Sequence, residues 1–454
     1  MGSGCYPLAR LLSGRGFSVS GTDASAECES YTDADGIRVW RERSTLPEGT
    51  TMAVYSLAIS PDDALVLDAK KQGIVLVSRA QLLGALMSAY PVSISVSGSH
   101  GKSTTTAIID HILTRAGRAH TAVSGALLST GAAYTDGGGD VFLAEACEYK
   151  DSFLCLAPTH QIITSVELDH TDYFATLADI KRSFLIAAER AHMTLINADD
   201  KVASEIAAEI SESRESAKSD TPHGYAAKSA TVRPRSPVTY GYSEGADYRI
   251  ADVRGDGERT YFTITHSGKT LSLTTPLLGA FNLYNVAAAV ALADSIGIDS
   301  GSIARAVADF SGIDRRLALL THIGGACVYY DYAHHPSEIS AVIAALRERH
   351  GTVSVIFRPH TYSRTASLWA EFVSSLSLAD CVILLDVYPA REQLVPGVTS
   401  QRLAACIDRA VYCPEQSLAA ALAVRSGCGA IALLGAGEVG SVRRELINYG
   451  QNQE

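Results

Sequence analysis

Between a strand-like run, SISVSG from Ser93, and a helix-like run rich in Ala, Ile and Leu, Thr106 to Thr114, the chain reads GSHGKSTTT. Few architectures accept that order. A buried parallel strand ends where a helix begins, and the backbone N–H groups of the turn face outward. Gly98 and Gly101 let the backbone approach an anion, Lys102 adds positive charge, and Ser103 offers a hydroxyl oxygen. Gly98, Ser99, His100, Gly101, Lys102, Ser103 and Thr104 therefore read as a loop that holds nucleotide phosphates. Its spacing is unusual. The commonest phosphate loop carries a glycine five positions before the Gly-Lys-[Ser/Thr] core, and Val96 stands there. A Gly/Ser turn that only caps a helix is the competing reading, and the flanking strand and helix favour the nucleotide.

With 454 residues, at roughly 150 per domain, about three domains are expected. The first part alternates strand and helix: FSVSGTD, TMAVYSLAIS and GIVLVSRAQLLGALM all carry that pattern, which implies a parallel sheet. GSGCYPLARLL looks like a glycine turn opening a helix with no strand before it, so a first strand is expected to be missing. VFLAEACE and QIITSVELDH read as strands that end in acids or His. Ligands collect at the carboxyl ends of strands in open α/β sheets, so these tails should share a cleft with the loop. Residues from Lys201 to Ser236 read as a polar, irregular excursion. VTYGYSEGADYRIADV and YFTITHSGKTLSLTTP read as antiparallel edge strands, and NLYNVAAAVALADSIG as a helix. From GIDRRLALL the alternation restarts, through ACVYYDYAHHPSEISAVIAALRER to GAIALLGAG, as a doubly wound domain.

Composition closes off some functions. A net charge of -11 argues against nucleic acid as partner, because a duplex binder needs a basic face. No run reaches the roughly 18 apolar residues of a membrane span. Nine cysteines without a C-x-x-C pair suit free thiols in a reducing cytosol, so the expected location is cytoplasmic.

Glu145 and Glu148 end one strand, and Glu167, Asp169, His170 and Asp172 end another. Magnesium takes oxygen ligands, so one or two of these carboxylates near a γ-phosphate would serve it; helix capping and solvation are the bland alternative. His334 and His335 are adjacent and point different ways, which suits a shared metal poorly. Arg358, His360 and Arg364 follow another strand, and arginine suits a carboxylate or phosphate, although surface arginines are common.

Taken together, VSGTD, SRAQLLGALM, GSHGKSTTT, AEACEYKDSF, VELDHTDYF, NADD, GAFNLYNVAAA, DRR, DYAHHPSE, RPHTYSRT, LLDVYPAREQLVPGVTS and GAGE resemble the Mur ligases over nearly the whole length; the last four blocks resemble the alanine-adding branch. The short loop is similar to that family's own G-T-H-G-K-[ST]-[ST] loop for ATP. The resemblance implies an α/β protein of three domains: an N-terminal Rossmann-like UDP-sugar domain lacking its first strand (1–91), a central ATPase (92–314), and a C-terminal doubly wound Rossmann-like domain (315–454). It implies ATP-dependent joining of L-alanine to UDP-N-acetylmuramate through an acyl phosphate, with Mg²⁺.

By position, Lys102 would bind phosphate, Ser103 and Glu145 one Mg²⁺, and His170 a second. Asn282, Asn285, Arg316 and Asp331 would meet ATP; Tyr332, His334, His360 and Arg364 would form the alanine pocket; Asp23, Arg79 and His100 would lie near the UDP-sugar. Three departures stand out: the shortened first strand and glycine turn, Pro7 in place of the turn's last glycine, and Thr361 where some members have Arg. The competing readings are a sister ligase that recycles a tripeptide, which should lack PHTYSRT and LLDVYPARE, and a non-catalytic nucleotide or UDP-sugar binder, which should lack Lys102, Glu145 or His170. Oligomeric state is not written in the sequence.

Overall fold

The computed structural model describes residues 4–451 apart from 24–29, 34–35, 129, 171–172, 220–235, 391 and 438, with backbone alone for 214–219. Its contacts divide the chain into two units: Met1–Arg254 with Tyr261–Thr275 and Tyr284–Phe310, and Gly255–Thr260 with Pro276–Leu283 and Ser311–Glu454.

The first unit is built on a ten-stranded sheet. Its middle runs, in spatial order, Val238–Gly241, Met193–Asn197, His160–Ile163, Val92–Ser97, Val141–Glu145, His120–Val123, all parallel. Tyr134–Asp136 closes one edge antiparallel to His120–Val123. In VSISVS, apolar residues alternate with serine as in a strand with one wet face, yet Ser93, Ser95 and Ser97 are all buried. Their hydroxyls are matched internally. Thr159 N donates to Ser93 Oγ at 2.9 Å, Ser95 bonds Gln161, and Ser97 Oγ donates to the Ile162 carbonyl across 2.9 Å. Hydrogen bonding thus lets a half-polar strand occupy the centre of the sheet.

One apolar cluster unites the first and middle segments: Leu8, Leu11 and Leu12 of the helix Tyr6–Gly14, Leu82, Leu83 and Met87 of the helix Arg79–Met87, and Phe142, Ile163 and Phe184 of the central layer. The Rossmann-like first segment itself carries a three-stranded sheet (Ser20–Thr22, Arg38–Trp40, Ser30–Thr32) and a parallel pair, Met52–Tyr55 with Val75–Ser78. Pro7 fits the first turn of its helix, where no N–H bond is lost.

Two expectations fail. Lys201–Ser219 is a helix, not an irregular excursion, because Val202, Ile206 and Ile210 recur every four residues and bury one stripe against that cluster, at about 1.5–3 kcal/mol per side chain. A helix there makes a crossover. The strand after it, Val238–Gly241, consequently returns parallel to Met193–Asn197; it also pairs in parallel with Tyr248–Gly255, where antiparallel strands were expected. The rest of the excursion, and Asp172, lie outside the described residues.

The second unit has a six-stranded sheet in the order Ala318–Ile323, Ala326–Asp331, Ala430–Leu434, Val353–Phe357, Cys381–Leu384, Ala410–Tyr412. Only the first strand is antiparallel. Val353, Val355 and Phe357 belong to the core on one face, Ile356 to the core on the other, which is why these strands read as unbroken apolar runs. This is the doubly wound arrangement the sequence implies.

Candidate active site

In the first unit three neighbouring strands end together. Val92–Ser97 leads into the glycine loop, Val141–Glu145 into residues 146–148, and His160–Ile163 into residues 164–170. The helix begins at Lys102, four residues before the apolar run. Gly98 (φ 140°) and Gly101 (φ 83°) hold backbone conformations that other residues rarely adopt. A Cβ on Gly98 would strike Thr164 Oγ1, and one on Gly101 the side-chain oxygen of Asn285. The turn is therefore fixed against its neighbours. Ser99 Oγ accepts from Glu167 N at 2.8 Å, and His100 N donates to Ser165 Oγ at 3.1 Å. His100 Nε2 lies 3.3 Å from Glu167 Oε2.

Ser103 Oγ donates to Glu145 Oε1 at 3.0 Å, while Glu145 Oε2 accepts from Ser124 Oγ at 3.0 Å and Gly125 N at 2.9 Å. A hydroxyl and a carboxylate converging beside the glycine loop are hard oxygen donors, which is the chemistry magnesium takes. Thr104, in the first turn of the helix, is buried.

Lys102 Nζ donates to the Gly98 carbonyl, to the Ser99 carbonyl at 3.2 Å and to Glu148 at 3.0 Å. Glu148 is 1% exposed, and His170 Nε2 stands 3.6 Å from its Oε1. Burial opposes charge on Glu148, but the Lys102 ammonium and the His170 ring outweigh it and hold the carboxyl below its ordinary range. Burial likewise opposes charge on Lys102, and Glu148 reverses the balance, so the lysine stays protonated. EACE marks Glu148 as an acid at a strand end; nothing in the sequence alone ties it to both Lys102 and His170.

Asn285 is buried, and its Oδ1 accepts from Thr105 Oγ1 at 3.2 Å. Arg79 opens its helix behind the Ser78–Gln81 capping box, and its side chain would lie 3.3 Å from a Cβ on Gly4. Burial pushes the Cys5 and Cys147 thiols up, and the Arg79 charge pulls both the other way. Asp23 N donates to the Trp40 carbonyl at 2.8 Å, at the end of the three-stranded sheet.

The second unit gathers its own group at strand ends. Asp331 is buried, accepting from Leu317 N and Ala333 N, both at 2.6 Å; burial pushes its pKa up to about 6 against the pull of Arg316. Arg316 lies over the Tyr332 ring at 5.3 Å. The rings of Tyr332 and His334 are 5.2 Å apart, those of His334 and His360 5.9 Å, and those of His360 and Tyr388 5.6 Å. Burial, then the charge of Arg364, pushes the His360 pKa down, so this imidazole is neutral near pH 7. His335 instead caps the helix Pro336–His350 with Glu338, so the two histidines part company as the sequence suggests. Asn282 donates to the Leu278 carbonyl at 2.7 Å. Tyr388 and Glu338 join this group without an individual sequence signal, although both lie inside quoted blocks.

Three family models match: Mur ligase family, catalytic domain, over residues 1–91; Mur ligase middle domain over 96–293; and Mur ligase, glutamate ligase domain, over 315–437. A UDP-N-acetylmuramate–L-alanine ligase of Agathobacter rectalis is 35% identical over 406 residues, covering 87% of this chain and 83% of that one. The Thermobifida fusca protein of the same name is 33% identical over 465 residues, 98% of this chain and 94% of its own. A crystal structure of UDP-N-acetylmuramate-alanine ligase from Thermotoga maritima superposes with a TM-score of 0.77 at 20% identity, over 100% of this chain and 98% of that one. A murein peptide ligase from Psychrobacter arcticus gives 0.63 at 17% identity, over 99% and 97%. At these identities the two structures speak for the fold.

Proposed function

The chain belongs to the Mur ligase family, and from that premise we propose that it joins L-alanine to UDP-N-acetylmuramate as an ATP-dependent, ADP-forming ligase of peptidoglycan precursor synthesis. The observation that carries this reading is the meeting of Lys102, Ser103 and Glu145 at adjoining strand ends, in a chain that covers 94% of a relative bearing that activity in its name. RPHTYSRT and LLDVYPARE favour alanine over a tripeptide, and the retention of Lys102, Glu145 and His170 favours catalysis over binding alone.

A carboxylate acylates amines poorly, so it must first gain a leaving group. An oxygen of the sugar's lactyl carboxylate attacks the γ-phosphorus of ATP, the bond to the bridging oxygen breaks, and ADP leaves. The amine nitrogen of L-alanine then attacks the acyl carbon and loses a proton, and phosphate leaves as the carbon–oxygen bond breaks. Negative charge sits on phosphoryl oxygens throughout, where the Gly98–Thr104 backbone and the Lys102 ammonium face it, and the protein acts mainly by positioning. Bound Mg²⁺ supplies further positive charge there. Ser103 and Glu145 would hold one ion, and His170, a softer donor, would serve a second.

We assign 1–91 to the UDP-sugar, with Asp23, Arg79 and His100 near it, 92–314 to ATP, and 315–454 to the amino acid and part of the nucleotide. Asn282, Asn285, Arg316 and Asp331 would contact ATP. Tyr332, His334, His360 and Arg364 would hold alanine, supported by the linked rings and the cation beside them. The described cysteines are free thiols and no described helix is long and apolar enough to cross a membrane, which agrees with work in the cytoplasm.

The test is phosphate release from Mg-ATP with UDP-N-acetylmuramate, adding L-Ala, Gly, L-Ser or the tripeptide in turn. Release that requires both the sugar and L-Ala, and disappears in Lys102→Ala, is expected. ATP binding without release for any acceptor would contradict the reading.

A further inference from the structure

Glu148 takes no substrate in the reaction just described, yet it is a carboxylate removed from water and placed between two functional groups. Lys102 Nζ approaches both of its oxygens at 3.0 Å. His170 Nε2 stands 3.6 Å from one of them, in charge-pair range and longer than a hydrogen bond. The backbone around this arrangement is unusual. Lys150 (φ 51°), Asp151 (φ 55°) and His170 (φ 53°) all lie in the left-handed region, at a cost of about 1–2 kcal/mol each. Such strain persists where surrounding contacts over-determine it. Here Asp151 accepts from Ser183 Oγ and Tyr173 OH, both at 2.6 Å, while His170 N donates to Asp169 Oδ1 at 2.7 Å and the Tyr149 ring sits 4.8 Å from the His170 ring.

We propose that Glu148 is a positioning residue, a single buried carboxylate that sets the phosphate-loop lysine and the metal-facing nitrogen of His170 together. The negative charge of Glu148 favours an N–H over a lone pair on the ring nitrogen turned toward it, so Nε2 carries the proton. Nδ1 is then left with a lone pair for a cation. The same charge holds the Lys102 ammonium in the loop before nucleotide arrives. Through Glu148 the nucleotide and metal sites become one unit. This rests on the reading of His170 as a metal ligand in a Mur-type ligase.

Two measurements test it on the full chain. Nitrogen NMR of the ligand-free protein should show His170 protonated at Nε2 and bare at Nδ1, and the opposite tautomer would overturn the proposal without any substitution. Manganese binding, followed by EPR in the presence of a non-hydrolysable ATP analogue, should weaken about 10- to 100-fold in Glu148→Gln and in His170→Ala. The double variant should lose little more than either single one, because both act on one metal. Unchanged manganese affinity in Glu148→Gln, or losses that multiply in the double variant, would overturn the coupling. If the unsubstituted chain bound no nucleotide with manganese, the ligase reading itself would fall, and the two failures are thereby told apart.

Discussion

Ser103 Oγ donates to Glu145 Oε1 across 3.0 Å, tying the first turn of the phosphate-loop helix to the end of the adjoining strand. The two oxygens are already at the separation that neighbouring ligands of a hard cation require. Glu145→Gln keeps an acceptor for Ser124 and Gly125 but removes the negative charge from the Ser103–Glu145 donor pair. Steady-state kinetics against Mg²⁺ concentration should show kcat lower by about 100-fold or more and a higher Mg²⁺ requirement. An unchanged Mg²⁺ dependence would remove Glu145 from the metal site.

Gly101 and Gly117 provide a matched pair. Both have positive φ, 83° and 68°, but a Cβ at Gly101 meets the Asn285 side chain whereas one at Gly117 meets nothing within 4 Å. Each change to Ala should cost about 1–2 kcal/mol in stability. Only Gly101→Ala should also weaken ATP binding, by about 10-fold or more, when the two are compared by calorimetry. Equal ATP affinities would mean that the loop's close packing is not needed to hold the nucleotide.

Arg364 stands near His360, and burial keeps that imidazole neutral. A planar guanidinium can grip a carboxylate in two places and an ammonium cannot. Arg364→Lys should therefore raise the KM for L-alanine by about 10-fold or more and leave the KM for ATP within about twofold. A rise confined to ATP would move Arg364 to the nucleotide.

Asp331 supplies a pH dependence. Because burial pushes its pKa from 3.8 up to about 6, the folded chain holds this proton more tightly than the unfolded chain. Stability from this group is therefore greatest at low pH, falls as pH rises from 3.8 to about 6, and is level above. Asp331→Asn removes the slope. Between pH about 4 and about 7 its melting free energy should gain on that of the unsubstituted chain by on the order of 2 kcal/mol. Parallel curves would show that Asp331 ionises normally.

The strand, glycine turn and helix around Gly98–Thr104 are legible in the sequence because glycine carries a local rule and the strand and helix beside it have clear periods. The doubly wound sheet was legible too, since both of its faces are covered and its strands read as apolar runs. Lys201–Ser219 was not, because Glu and Ser dominate its composition while its buried stripe, Val202, Ile206 and Ile210, is narrow and draws meaning only from the core it meets. The direction of Val238–Gly241 was lost with it. Glu148 could be noticed as an acid at a strand end, but its bond to Lys102, 46 residues away, belongs to the folded chain. The Tyr332–His334–His360 group was assembled by resemblance, since rings from separate strand ends carry no shared spacing.

In the proposed reaction a carboxylate is activated by phosphorylation before the amine arrives. UDP-N-acetylmuramate labelled with oxygen-18 at both oxygens of the lactyl carboxylate tests it directly, by mass analysis of the phosphate released with ATP and L-alanine. One labelled oxygen should appear in each phosphate, because the carboxylate oxygen that attacks phosphorus leaves with it. Phosphate free of the label, formed while alanine is joined, would contradict the account.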